Sequence, residues 1–436
     1  MCQGDSKRVA VIGAGAGGLV AAKLLRDEGF RVKVFEATDK IGGLWVYSDT
    51  RGALYKSLRT NLPKQIMAYS DFPFSPSLPS FMNHQDVLRY LHSYAERFNL
   101  HEVIALSTPV RSAEYVSAHG DGARGGWLIN GEELFEALVV ANGHYNVPNY
   151  PQLIKNDFSG FAIHSKEYRS PSPFANQRVL IVGGGPSGLD LVSEIASVAK
   201  MVVWSGTSFS DPDTAATVRS KLPPNVKPVG RLEGLESDGR YLVKGAANEL
   251  VTSDGTIDAV IYATGYKYDF PFFSESSGLF PSRTMNRPES VRDALYVHLF
   301  HRKHPSTLFF LGLPALAPGI FKVMEHQTKA IIAVLKGTVS TEGLASLPSF
   351  PWVMLEAAFP YCVLLDALAA GTHDAFPHDY QQVTVKLPRD IDLRMQVFRD
   401  TIAAIASMPD RYKEREYRII DECDGGGGEI KWEVVE

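Results

Sequence analysis

Two stretches of the chain share one order of apolar, glycine-rich and periodic segments. Arg8-Val-Ala-Val-Ile12 is a short β-branched run of the kind a buried parallel strand shows. Gly13 to Gly18 come next, then Leu19 to Glu28 with apolar residues at helical period, then Arg31-Val-Lys-Val-Phe35 as a second strand. Arg178-Val-Leu-Ile-Val182, Gly183 to Gly188, Leu189 to Val198 and Met201-Val-Val-Trp204 repeat the plan. Each half predicts a βαβ unit with a right-handed crossover and a ligand site at the carboxyl ends of its strands. Phe135-Glu-Ala-Leu-Val-Val140 and Asp258-Ala-Val-Ile-Tyr262 also read as strands, ending in the turns Ala141-Asn142-Gly143 and Ala263-Thr264-Gly265-Tyr266. Leu308-Phe-Phe-Leu311 is a third, ahead of a Gly/Pro loop and a helix from about Phe321 to Leu335.

The expected fold class is therefore α/β, with two dinucleotide-binding, Rossmann-like domains. The second, at 171–300, is inserted into the first, which takes 1–170 and 301–436. A length of 436 residues suits two domains. Beyond Gly337 no motif is readable.

Composition narrows the partners. Basic and acidic residues number 44 and 49, a formal −5, with no basic block, which argues against nucleic acid. The three cysteines, Cys2, Cys362 and Cys423, are far apart, so neither a disulfide framework, a zinc site nor a dithiol centre is expected. Their usage suits a reducing compartment, and no signal peptide fits before the first strand, so the expected location is cytoplasmic. The most apolar stretch, Trp352 to Ala370, is broken by Glu356, Pro360 and Asp366 and reads as buried helices, not a membrane anchor.

Chemistry enters with the glycines. Gly13, Gly15 and Gly18 form G-x-G-x-x-G between a strand and a helix. The first allows the tight turn, the second lets backbone N–H groups approach a pyrophosphate, and the third lets helix and strand pack closely. Glu36 ends the next strand, where a carboxylate accepts bonds from ribose hydroxyls. Ile41-Gly-Gly-Leu-Trp45, containing Gly43, Leu44 and Trp45, is a second glycine-rich turn along which a cofactor could lie.

Gly183, Gly185 and Gly188, with Ser187 between the last two, repeat the fingerprint. The interval from Gly18 to Glu36, counted on from Gly188, reaches Gly206 beside Ser205, and no acid stands there. A carboxylate would repel a 2′-phosphate, so the first site suits FAD and the second NADPH. No Arg sits at that turn; Ser205, Thr207 and Ser208 are the phosphate-bonding candidates, and the charge partner is not identified. Two dinucleotide sites without a redox dithiol leave molecular oxygen as the simplest electron acceptor.

At this point the chain resembles the flavin-containing monooxygenase family, from about Lys7 to Lys336. The most specific segment is Phe158-x-Gly160-x-x-x-His164-x-x-x-Tyr168, similar to the signature of class B flavin monooxygenases. Its final Tyr, followed by Arg169, is like the N/S-oxygenating branch; the Baeyer–Villiger branch ends in Trp followed by Pro or Asp. Taken alone, His164 reads as a structural loop histidine. Tyr55-Lys-Ser-Leu-Arg-Thr-Asn-Leu-Pro-Lys64 is similar to a further family segment. The resemblance implies that Asn61 is the catalytic candidate beside the flavin and nicotinamide, with Thr60 next to it. It also implies that Met324-Glu325-His326-Gln327 lies near the flavin ring, with Glu325 and Gln327 as cofactor-binding residues.

The cycle implied by the resemblance is reduction of FAD by NADPH, formation of a flavin hydroperoxide, and attack on it by the nitrogen of an amine or the sulfur of a sulfide. The substrate supplies the nucleophile, so no general-base triad is needed. A homodimer is an allowed assembly. The alternatives are a Baeyer–Villiger enzyme acting on ketones and a non-catalytic dinucleotide-binding sensor.

Overall fold

The computed structural model describes residues 6–50, 52–118, 125–285, 288–314, 317–351, 357–372, 389–408, 411–421 and 430–435. Its frame is two parallel sheets. In the first, the parallel strands run in the order 308–310, 137–140, 8–12, 31–35 and 104–105, with short antiparallel strands 300–301 and 295–296 at one edge. In the second, 161–164, 259–262, 178–182, 201–205 and 226–229 are parallel throughout. Arg8–Ile12 and Arg178–Val182 are buried after their first residue, as strands covered on both faces must be.

Each sheet is covered on both sides. One face of the first packs the helices Ala16–Asp27, His84–Arg97 and Ile320–Lys336, with Ala358–Ala370 outside them. Its other face packs Trp127, Phe135 and a cluster of phenylalanines at 270–280. The second sheet buries the helix Pro186–Ala196 on one face and an antiparallel meander, 232–235, 241–244 and 250–252, on the other. No helix among the described residues is long and apolar enough to cross a membrane. Residues 352–356 of the apolar stretch, with Cys2 and Cys423, lie outside the described residues, while Cys362 is buried in the helix Ala358–Ala370.

Two details differ from the expectation. The predicted strand over 135–140 is two strands: Glu133–Phe135 ends an antiparallel sheet with 113–116 and 126–129, and Ala137–Val140 enters the main sheet. The chain switches at Glu136, whose Oε2 accepts from the Arg8 N–H at 2.8 Å. The strands of the second sheet span 161–262, not 171–300. From Tyr266 onward the chain pairs with Val147–Pro148 and packs its aromatic residues on the first sheet. The outgoing and returning connections thus lie side by side. Asn149 N–H donates to the Gly265 carbonyl at 3.0 Å, and the Asn142 amide donates to the Asp269 carbonyl at 2.9 Å.

Candidate functional site

Both glycine fingerprints form the same local structure. Gly13 and Gly183 have φ of +102° and +123°, which only glycine adopts without strain. A Cβ on Gly13 would lie 2.6 Å from the Ala141 carbonyl oxygen, and one on Gly183 would lie 2.2 Å from that of Ala263. Each small-residue turn that leaves a sheet is thus pressed against the first glycine of its fingerprint. The third glycines serve helix packing: a Cβ on Gly18 would meet the Gly13 oxygen at 1.8 Å, and one on Gly188 the Gly183 oxygen at 2.1 Å. Gly15 and Gly185 are the N-caps of Ala16–Asp27 and Pro186–Ala196, and neither helix has a side-chain cap. Their first-turn N–H groups therefore suit an anion at the helix N-terminus.

Around these caps the two sites differ. At the first, Glu36 is buried and its carboxylate is held on both oxygens. Oε2 accepts from the Ala14 N–H at 2.8 Å, and Oε1 accepts from the Thr38 N–H and hydroxyl, each at 2.8 Å. Oε2, with one donor, keeps a lone pair for a ribose hydroxyl. The turn Gly42–Gly43 lies on the fingerprint: the Gly42 N–H donates to the Ala14 carbonyl at 2.9 Å, and a Cβ on Gly43 would come within 2.9 Å of the Gly15 Cα. Leu44 is exposed, and Trp45 packs edge-on to Phe321 at 6.5 Å. This cradle fits a dinucleotide with an unphosphorylated ribose, the part FAD presents.

At the second site Gly184, Gly185, Pro186 and Ser187 are exposed, and a Cβ on Gly184 or Gly185 would meet nothing within 4 Å. Ser205 ends the strand Met201–Ser205. Its side chain is buried, donates to the Gly230 carbonyl at 2.9 Å and accepts from the Leu232 N–H at 2.9 Å. These two bonds tie the strand end to the next turn, beside the position proposed for the ribose phosphate. Thr207 and Ser208 are exposed on the short helix that follows Gly206 and remain candidates for that bond.

The segment 55–67 is strung between the two folds. Tyr55 and Leu58 pack in the core of the second, Ile66 and Met67 in the core of the first. Thr60, at the junction, is buried: its N–H donates to the Met82 carbonyl at 2.7 Å, and its hydroxyl accepts from the Met82 N–H at 3.1 Å. Asn61 follows it and is exposed.

Glu325 and Gln327 are both buried, with partners inside the fold. Glu325 Oε2 accepts from the Ser70 N–H at 2.8 Å, and Lys329 Nζ lies 3.2 Å from Oε1. Burial works to raise its carboxyl pKa, but the Lys322 charge, the Ser70 N–H and the Lys329 charge hold it below the usual range. Gln327 is fully buried, accepting from the Gly312 N–H at 3.0 Å and donating to the Tyr361 hydroxyl at 3.0 Å. Both fix backbone around the helix Ile320–Lys336. The contact of that helix with the first site runs through Met324, whose sulfur would lie 2.9 Å from a Cβ on Gly17. His326 faces Asp366, with Nδ1 at 2.5 Å from Oδ1.

Sequence reasoning missed Asp190 and Glu194, which bind Tyr55, Ser57 and Tyr168 across the junction. The available signal was their spacing of four, which places both carboxylates on one face of the helix.

The comparisons agree with this geometry. The family model described as "FMO-like: Flavin-binding monooxygenase-like" matches residues 6–211 and 243–360. The flavin-containing monooxygenase FMO GS-OX3 of Arabidopsis thaliana is 34% identical over 395 residues, covering 83% of this chain and 79% of its own. FMO GS-OX1 of the same plant is 36% identical over 370 residues, covering 77% and 75%. Among solved structures, S-allyl-L-cysteine S-oxygenase from Allium sativum superposes with a TM-score of 0.70 at 26% identity, over 94% of this chain and 96% of its own. Tmm from Pelagibacter sp. strain HTCC7211 shares the fold, with a TM-score of 0.69 at 20% identity over 97% and 96%. The chain belongs to the flavin-binding monooxygenase-like family.

Proposed function

We propose that the protein is an NADPH- and oxygen-dependent monooxygenase that oxygenates a soft nucleophile, the sulfur of a sulfide or the nitrogen of an amine, in a small molecule. The observation that carries this reading is the pair of glycine-capped helix N-termini on separate parallel sheets, one with a buried carboxylate at its ribose position and the other with none. When bound, FAD accepts a hydride from NADPH and delivers one atom of molecular oxygen to the substrate.

The chain's own residues bind and orient. Gly13, Gly15 and Gly18 open the first helix to the pyrophosphate of FAD, and Glu36, already aligned by Ala14 and Thr38, accepts from its ribose. Gly183, Gly185, Ser187 and Gly188 do the same for NADPH, and the absence of an acid at Gly206 admits the 2′-phosphate. Asn61, exposed beside the buried Thr60, is the residue we assign to ordering the two nucleotides. We take the NADPH-binding domain as 161–265 and the remainder as the FAD-binding domain. A sulfide has the further support of the S-oxygenase that superposes over nearly the whole chain. The low cysteine count supports work in the cytoplasm.

The test is a screen of NADPH oxidation and oxygenated product against thioethers, tertiary amines and ketones, with Asn61→Ala in parallel. The reading expects sulfoxide or N-oxide from the native chain. From Asn61→Ala it expects retained FAD but a several-fold lower yield of product per NADPH consumed. Lactones or esters as the main products would move the protein to ketone chemistry, and NADPH binding without any turnover would make it a sensor.

A further inference from the structure

The two dinucleotide folds are joined by a polar network, and the C-terminal segment completes it. The helix Pro186–Ala196 presents Asp190 and Glu194, one turn apart, toward segment 55–59. The Tyr55 hydroxyl donates to Asp190 Oδ2, the Ser57 hydroxyl to Glu194 Oε1 at 2.5 Å, and the Tyr168 hydroxyl to Glu194 Oε2 at 2.8 Å. Lys413 enters from the other end of the chain. Its ammonium donates to both Asp190 oxygens at 2.8 Å and to the Arg59 carbonyl at 3.2 Å. All three of its N–H donors are thus used, and the side chains of Lys413 and Asp190 are only 16% and 17% exposed. An ion pair this far out of water is costly to break from one side, unlike a surface pair.

The segment carrying Lys413 is anchored on the first fold. The Tyr412 ring meets Phe81 edge-on at 5.5 Å, the Tyr417 N–H donates to the Ser80 hydroxyl at 2.7 Å, and Glu416 accepts from the Ser80 N–H at 2.8 Å. A second crossing lies nearby, where Lys221 of the second fold donates to the Ala406 carbonyl at 2.5 Å. Residues 406–408 and 411–417 therefore strap the helix that opens at the second glycine loop to the segment that leads into Asn61.

We propose that Lys413 is a positioning residue: by holding Asp190 and the Arg59 carbonyl together, it sets the second glycine loop against Thr60–Asn61, and with it the distance over which hydride passes. This rests on the proposed function, because only a reaction between the two nucleotides makes that distance matter. Transfer needs reacting atoms at about 3–3.5 Å, and a displacement of about 1 Å can cost on the order of a hundredfold.

The experiment compares native protein, Lys413→Ala, Lys413→Arg, Asp190→Asn and the Lys413→Ala/Asp190→Asn double variant, all loaded with FAD. Anaerobic stopped-flow reduction by NADPH is read together with the isotope effect from deuterated NADPH and with amide exchange over residues 189–196. Lys413→Ala is expected to keep its FAD and to slow reduction at least tenfold, with a change in NADPH affinity under threefold and a larger isotope effect. Exchange of the helix amides should be faster without any nucleotide present. Lys413→Arg should recover most of the rate, and the double variant should be no slower than the slower single one. An unchanged reduction rate in Lys413→Ala, or losses that multiply in the double variant, would overturn the proposal. If Lys413→Ala does not fold, Asp190→Asn and Lys413→Arg decide it: native rates and native exchange in both would refute it. Failure of the native protein to reduce FAD with NADPH would instead refute the proposed function, independently of Lys413.

Discussion

The Tyr168 hydroxyl donates to Glu194 Oε2 at 2.8 Å, and its ring is 1% exposed. The hydroxyl of the residue that ends the segment 158–168 is therefore spent on the second dinucleotide helix. His164, six residues into that segment, is also turned inward. Its Nε2 lies 3.0 Å from the Gly265 carbonyl, and its Nδ1 accepts from the Lys166 N–H at 3.1 Å. Those two roles require the neutral ring, and burial pushes its pKa down accordingly. The segment is a clasp, holding the returning connection with one end and the helix with the other.

Tyr168→Phe removes the hydroxyl and keeps the ring. We expect destabilisation of about 1 kcal/mol, the worth of a typical hydrogen bond, and slower flavin reduction. The ratio of sulfoxide, N-oxide and lactone products should not change. A product assay on the purified variant checks this; a switch toward ketone oxidation would mean that Tyr168 acts on the substrate directly.

Gly15 and Gly18 of the first fingerprint are predicted to fail differently. A Cβ at position 15 meets the Gly43 Cα at 3.5 Å and the Gly43 N at 3.9 Å, ordinary contacts, so Gly15→Ala should fold. It should bind FAD at least tenfold more weakly, and Gly15→Val should be colourless. At position 18 the Cβ would sit 1.8 Å from backbone oxygen, so Gly18→Ala should lose stability by about 1–3 kcal/mol or more along with FAD. Flavin absorbance and thermal melts of the two variants separate binding from packing.

The second site yields a contrast between adjacent residues. Ser205→Ala leaves the Leu232 N–H without its acceptor inside the fold, at a cost of about 1–3 kcal/mol, and should leave the NADPH to NADH preference unchanged. Gly206→Asp introduces a carboxylate where the ribose phosphate is expected and should lower that preference at least tenfold, once Phe209 yields to the new side chain. Steady-state kinetics with both nucleotides, beside urea melts, test the pair.

How much of this was legible beforehand depends on the range of the signal. The strands Arg8–Ile12 and Arg178–Val182 and the glycines after them are local patterns, so their places could be read from the chain alone. The bonds of the Ser205 hydroxyl are not local, being set by Gly230 and Leu232, more than twenty residues on. Glu325 and Gln327 were found on the right helix, but Ser70, Gly312 and Tyr361 decide that they point inward. The strap was invisible for the same reason: Lys413 and Asp190 are paired across 223 residues of sequence.

Acid sensitivity should follow from buried histidines. His301 is 1% exposed, with Nε2 at 3.0 Å from the Leu279 carbonyl and Nδ1 accepting from the Lys303 N–H at 3.2 Å. Burial pushes its pKa down to about 4 from an unperturbed 6.5. The folded state holds fewer protons than the unfolded chain between these values, so the stabilisation is complete above pH 6.5 and is lost as pH falls toward 4. His301→Gln should flatten the decline, by up to about 3 kcal/mol over that window. Urea melts at pH 7, 6 and 5 of both proteins check the slope; parallel slopes would refute the assignment.

In the proposed reaction this chain transfers an oxygen atom from molecular oxygen to a soft nucleophile, using two nucleotides held at two glycine-capped helices. The most direct measurement is mass spectrometry of the product made from a thioether and a tertiary amine under ¹⁸O₂, with NADPH consumption followed in the same reaction. The account predicts sulfoxide or N-oxide carrying one ¹⁸O atom, formed in step with NADPH. Unlabelled product, or NADPH consumed with hydrogen peroxide alone across a broad panel of both substrate classes, would contradict it.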